Sequence, residues 1–140
     1  MNKPKRSYLA EFSVDGNEKS NPTILRIILS TEYTRIDFGY LAPWIYVKGG
    51  WIKIAQHTYL KVRGDKKKYA LIDAKGIPIA PEKLHFESII DRQVFSLFFQ
   101  PIPISDCVID IVEEETPTEN DFNIDSIRLQ NVREFEVVNL

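Results

Sequence analysis

Tyr8, Ala10, Phe12 and Val14 fall on one side of a two-residue repeat, with Leu9, Glu11 and Ser13 on the other. That period belongs to a half-buried β-strand. Asp15-Gly16-Asn17 supplies a turn. The stretch from Thr23 to Ser30 is apolar on both faces apart from Arg26, which predicts a central strand covered on one side and partly on the other. Ile36, Phe38 and Tyr40 then alternate with Arg35, Asp37 and Gly39 in a third strand, closed by Ala42-Pro43. Short aromatic strands are predicted over 44–47 and 51–55 around Gly49-Gly50. A hairpin follows, with strands over 59–62 and 69–73 joined through Gly64-Asp65-Lys66-Lys67-Lys68.

Two prolines and a glycine within residues 75–81 predict a crossover loop. Beyond it come strands over 85–90 and 93–100, the second with Phe95, Leu97 and Phe99 on one face and Pro101 and Pro103 after it. Cys107, Ile109 and Ile111 share the next apolar face. Segments 124–129 and 132–138 close the chain. Helical spacing of apolar residues is scarce, and about eight to ten short strands punctuated by turn signals describe an all-β sandwich or barrel. No repeat of fixed period points to a propeller or solenoid.

Composition narrows the class further. At 140 residues, 44% hydrophobic and 27% charged, the chain has ordinary globular proportions and enough length for one core without a disulfide or metal staple. One cysteine excludes an internal disulfide framework, and two histidines leave little for a histidine-rich metal site. No apolar run approaches the ~18 residues of a membrane span or the core of a signal peptide. The chain as written is therefore expected in the cytoplasm, or exported if it is a piece of a longer polypeptide. Charge is lopsided: residues 1–70 carry 13 Lys+Arg against 6 Asp+Glu, and residues 71–140 carry 5 against 14. Oppositely charged strands facing each other across a sheet explain this more simply than a nucleic-acid surface.

Motifs for catalysis are missing: there is no Gly-rich Lys loop, G-x-G-x-x-G, H-E-x-x-H or G-x-S-x-G. His57 and His85 sit beside ordinary strand residues, and the alternation around Cys107 places it on an apolar face. Glu113-Glu114-Glu115 with Glu119 and Asp121 lacks the spacing of a calcium loop and reads as a solvated charge run. The feature that survives is aromatic: Trp44, Tyr46, Trp51 and Tyr59 form either core filling or a candidate binding face. Such rings stack on sugars or bases when exposed.

Several motifs together resemble a known kind of module. Thr31-Glu32-Tyr33-Thr34-Arg35-Ile36-Asp37-Phe38, Trp51-Ile52-Lys53-Ile54, Gly76-Ile77-Pro78-Ile79-Ala80-Pro81-Glu82-Lys83 and Phe99-Gln100-Pro101-Ile102-Pro103 are similar to an uncharacterised bacterial immunoglobulin-like module. That module is an accessory domain of exported chains, some with a thioredoxin-like domain. The resemblance covers roughly residues 20 to 130. It implies one immunoglobulin-like antiparallel β-sandwich over residues 1–140, with 1–20 a peripheral strand or tail, and it brings no catalytic residues. The resulting expectation is a non-catalytic accessory or interaction module, without cofactor or metal. Its partner is another protein chain or domain, or a second copy joined through an edge strand. Nucleic acid is not expected. The alternative is a sandwich that holds carbohydrate or another ligand on the aromatic face.

Overall fold

In the computed structural model, residues 6–14, 23–41, 51–52, 55–76, 84–85, 92–113 and 123–135 are described. Among the described residues there are ten strands: β1 (Ser7–Val14), β2 (Thr23–Ser30), β3 (Thr34–Leu41), β4 (Trp51–Ile52), β5 (Tyr59–Val62), β6 (Lys68–Lys75), β7 (Leu84–His85), β8 (Arg92–Phe99), β9 (Cys107–Val112) and β10 (Ile124–Phe135). Eight of them close into an antiparallel barrel in the order β1-β10-β9-β5-β6-β8-β3-β2, and β4 pairs only with β7. No helix among the described residues is long and apolar enough to cross a membrane.

The all-β expectation holds, but the immunoglobulin-like sandwich does not. β1 pairs with both β10 and β2, Tyr8 lying between Glu134 and Leu29, so the sheet has no open edges to stack as two layers. Alternation reports which side chains turn inward and is the same for both architectures. Closure depends on strand coiling, which the residue pattern does not spell out. The register shifts between Leu9 and Glu11, Ile24 and Arg26, Leu71 and Asp73, and Ile124 and Ile127. Bulges of this kind bend and twist strands and so curl a sheet onto itself.

The two segments expected at 124–129 and 132–138 are one strand, β10, with Ser126 and Asn131 at positive φ. Both residues fall within register shifts, Ser126 in that between Ile124 and Ile127 and Asn131 in that opposite Leu9 and Glu11. Of the strands expected at 51–55 and 85–90, the described residues include the short β4–β7 pair, and residues 53–54 and 86–90 lie outside the described residues. Residues 44–47, the turn at 15–17 and most of the 75–81 loop lie outside the described residues.

Inward residues fill the barrel. Ile27, Leu29, Ile36, Phe38, Leu60, Leu97, Phe99, Ile109, Ile111 and Ile127 are all fully buried. Phe38 stacks on Phe95, centroids 5.0 Å apart and planes 17° from parallel. Each such side chain contributes roughly 1.5–3 kcal/mol of burial. Cys107 packs against this core, as its alternation predicts, and burial followed by the Asp106 charge pushes its thiol pKa up.

Strand directions sort the connections by end. At one end, here the upper, the connections are short: 31–33, 63–67 and 100–106. Ile102 plugs this end, its N–H donating to Thr34 Oγ1 at 3.0 Å while that hydroxyl donates to the Gln100 carbonyl at 3.1 Å. At the lower end they are long: 15–22, 42–58, 76–91 and 113–123.

Candidate functional site

The connection from β3 to β5 leaves and re-enters the barrel at its lower end. Trp44, Tyr46 and Trp51 all belong to the 42–58 connection between β3 and β5. Trp44 and Tyr46 lie outside the described residues, whereas Trp51 stands directly opposite His85 in the β4–β7 register. That pairing joins the two longest connections, 42–58 and 76–91, to each other. A further tie fixes the first to the barrel: the Ala55 N–H donates to Glu113 Oε2 at 3.4 Å, at the end of β9. Glu113 in turn donates its own N–H to Asn123 Oδ1 at 3.2 Å, bridging the ends of β9 and β10.

Tyr59, the fourth aromatic candidate, begins β5 and is half-buried. Its neighbour Leu60 points inward, so strand alternation turns Tyr59 to the outer wall, where Lys68 Nζ sits 4.9 Å from its ring centroid. The phenol ring is thus not core filling, and it is partly covered by a cation.

The inward row of the β5–β9 ladder runs Val62 with Ile109, then Leu60 with Ile111. Two residues before Leu60, toward the lower end, the polar Thr58 is buried as well. Thr58 is 1% exposed, and its Oγ1 has no hydrogen-bond partner. A buried hydroxyl left without a partner costs roughly 1–3 kcal/mol.

A second group, on the outer wall, was not singled out from the sequence. Asp37 on β3 is only 5% exposed although it faces away from the core. Its Oδ1 accepts from Arg35 Nε at 2.8 Å and Ser96 Oγ at 2.6 Å, and its Oδ2 accepts from Arg26 Nε at 2.8 Å. Register explains the meeting, because Asp37 lies opposite Arg26 on one side and Ser96 on the other. Burial alone would raise this carboxyl's pKa, but the hydrogen bonds from Ser96, Arg35 and Arg26 and the Arg35 charge bring it below the usual value.

The same wall extends to Phe98, which has the Arg35 guanidinium 5.6 Å and Lys75 Nζ 5.4 Å from its ring centroid, with Tyr33 edge-on at 5.4 Å. The network crosses β2, β3, β8 and β6 and staples half the barrel from outside. Outward alternation of Asp37 was visible in the sequence. Its cross-strand partners were not, since they depend on register.

His57 is exposed in the turn before β5, and among the described residues no group of three His, Cys, Asp or Glu is placed to hold a metal. No family model matches the chain, and neither the curated proteins nor the solved structures contain a match. The resemblance to the bacterial module stands on its quoted motifs alone.

Proposed function

We propose that the protein is a non-catalytic accessory barrel that engages another macromolecule through its lower end. The observation supporting this reading is the unequal length of the connections: short, plugged turns at one end, and long segments at the other, one of which carries Trp44, Tyr46 and Trp51 in its sequence. Long connections on a rigid scaffold are where binding residues concentrate. Edge-strand addition, the mode expected for an open sheet, has no template in the eight barrel strands because closure pairs each on both sides. A second reading, a carbohydrate or other ligand held by Trp44, Tyr46 and Trp51, is favoured by their falling within one connection.

Both tryptophans of the chain lie in residues 42–58, so selectively excited tryptophan fluorescence reports on this connection. Quenching by acrylamide supports an exposed aromatic surface there, while a blue-shifted emission that resists quenching overturns the aromatic part of the reading. Photo-crosslinkers at positions 45 and 116, compared with one at 101, test the wider claim. Partner adducts from the lower positions support it, and adducts from 101 alone contradict it.

A further inference from the structure

Cations gather on one side of the barrel. β5, β6, β8, β3 and β2 are consecutive neighbours in the sheet. The described side chains of these five strands and of turns 31–33 and 63–67 include eight Lys or Arg against four Asp or Glu. Across β9, β10 and β1 the balance reverses, with two against four. Two of the acids on the basic side are used within the fold. Asp37 serves both Arg26 and Arg35, one carboxylate for two guanidinium groups. Asp65 turns back into the β5–β6 hairpin, its Oδ1 accepting the Lys67 N–H at 2.9 Å and its Oδ2 the Tyr69 hydroxyl at 2.7 Å.

These cations form two groups. Lys61, Arg63, Lys66, Lys67 and Lys68, all exposed, make up the first, on and beside the hairpin at the upper end. Lys61 and Lys68 stand directly opposite each other in the β5–β6 register, with Asp110 on the far side of Lys61. Like charges so placed weaken a sheet. Lys68 Nζ rests 4.9 Å from the Tyr59 ring centroid, and Arg63 Nη2 donates to Ser126 Oγ at 2.9 Å. The second group lies further round the outer wall and below the hairpin. There Lys75 and Arg35 stand 5.4 Å and 5.6 Å from the Phe98 ring centroid, and Arg26 faces Asp37. At ~3.3 Å per residue, Lys68 and Lys75 are roughly 20 Å apart along β6.

We propose that this side of the barrel binds single-stranded nucleic acid, its phosphates running from the hairpin over Lys68 to Lys75 and Arg35, and its bases meeting the half-buried rings of Tyr59 and Phe98. Cations along a track with aromatic rings beside them are the two components of a strand-binding surface. Shape separates the candidate polyanions. The hairpin cations crown the upper end, while Lys75 and Arg26 project from the side of the barrel. A flat lipid surface or a stiff duplex meets one group and misses the other, whereas a flexible strand bends between them. At 3.4 Å per stacked nucleotide, a separation of roughly 20 Å takes about six nucleotides. The sequence pattern favoured oppositely charged strands facing each other over a nucleic-acid surface, but the basic strands lie side by side. This surface is separate from the lower end and does not depend on the reading of that end.

Fluorescence anisotropy of a labelled oligothymidylate of about twelve nucleotides, titrated with the full chain over about 20–200 mM NaCl, tests the proposal. The expected result is binding at low salt, with log affinity falling against log salt at a slope of about 3 or steeper, since each engaged phosphate of a single strand contributes about 0.7. Lys66→Gln/Lys67→Gln lowers that slope by about 1.4 and Lys75→Gln by about 0.7, each weakening binding at least about threefold near 100 mM NaCl with circular dichroism unchanged. A wild-type chain that does not bind at about 20 mM NaCl overturns the proposal without using any variant. Lys75→Gln binding like wild type also overturns it, because the hairpin then acts alone. Equal or tighter binding of a duplex of the same length, of polyglutamate or of phosphatidylserine vesicles assigns the surface to a different polyanion and overturns it as well.

Discussion

Replacing Asp37 with asparagine keeps the side-chain shape and removes the charge that holds Arg26, Arg35 and Ser96 together on the outer wall. A hydrogen bond to a charged group contributes roughly 1.5–3 kcal/mol, and breaking a buried ion pair costs more than it gained. Here the cost is tempered, because the Arg26 and Arg35 side chains are 52% and 33% exposed and regain water when released. A loss of about 2–3 kcal/mol follows, or about 8 °C in melting temperature for a domain of this size. The assay is paired urea and thermal unfolding of wild type and Asp37→Asn, with Asp125→Asn at an exposed position of β10 as control, expected within about 0.5 kcal/mol of wild type.

The pH dependence has a definite sign. The folded pKa of Asp37 is depressed, so its contribution is complete above the unfolded value of about 3.9 and is lost as pH falls through the folded value. The gap between wild type and Asp37→Asn is therefore constant near neutrality and narrows only in acid below about pH 4. A variant melting within about 2 °C of wild type at pH 7, or a gap that widens in acid, would refute the reasoning.

Three other outcomes are expected. Thr58→Val removes the unpartnered hydroxyl and should stabilise by about 1 kcal/mol in urea unfolding; a loss of similar size would mean that the hydroxyl has a partner such as an ordered water. Gly76→Ala should cost well over 1 kcal/mol, since φ is 82° and the new Cβ would stand 2.7 Å from the Val94 carbonyl oxygen. Gly64→Ala, at φ 89° with nothing within 4 Å, should cost only about 1 kcal/mol. The Tyr69 pKa is pushed up to about 12 by its hydrogen bond to Asp65, then by burial and the Asp65 charge. This tyrosine should thus titrate above the ordinary tyrosine range in alkaline ultraviolet spectra, and its stabilising effect, complete below the unfolded pKa near 10, should fade between about pH 10 and 12. Tyr69→Phe should abolish that late phase.

What the sequence revealed of this fold was local. Phe95, Leu97 and Phe99 turn inward as their spacing predicts, and the Gly64-Asp65 turn forms between β5 and β6. Asp65 even takes up the side-chain-to-backbone contact typical of aspartate in turns. Closure was not legible, because the pairing of β1 with β10 joins residues as distant as Ser7 and Phe135, and no local period encodes it. The same limit hid the Asp37 cluster, whose members come from three strands.

Charge asymmetry was visible but was assigned to facing strands. Arg6 with Glu134 fits that account at 3.6 Å. Arg26 and Arg35 instead meet Asp37 within the N-terminal half, so the lopsided charge is only partly a matter of facing halves. Of the aromatic candidates, Tyr59 could be assigned to the outer wall once its strand was placed. Trp44, Tyr46 and Trp51 share a connection that sequence spacing alone could not assign to an end of a barrel.

Backbone pairing around β1 tests the central claim most directly. In a two-dimensional NMR experiment, cross-strand nuclear Overhauser contacts should link Tyr8 both to Leu29 on β2 and to Glu134 on β10, with slow amide exchange on both flanks of the strand. Contacts to one neighbour only, with rapidly exchanging amides along the other flank, would describe an open sheet and contradict the closed barrel.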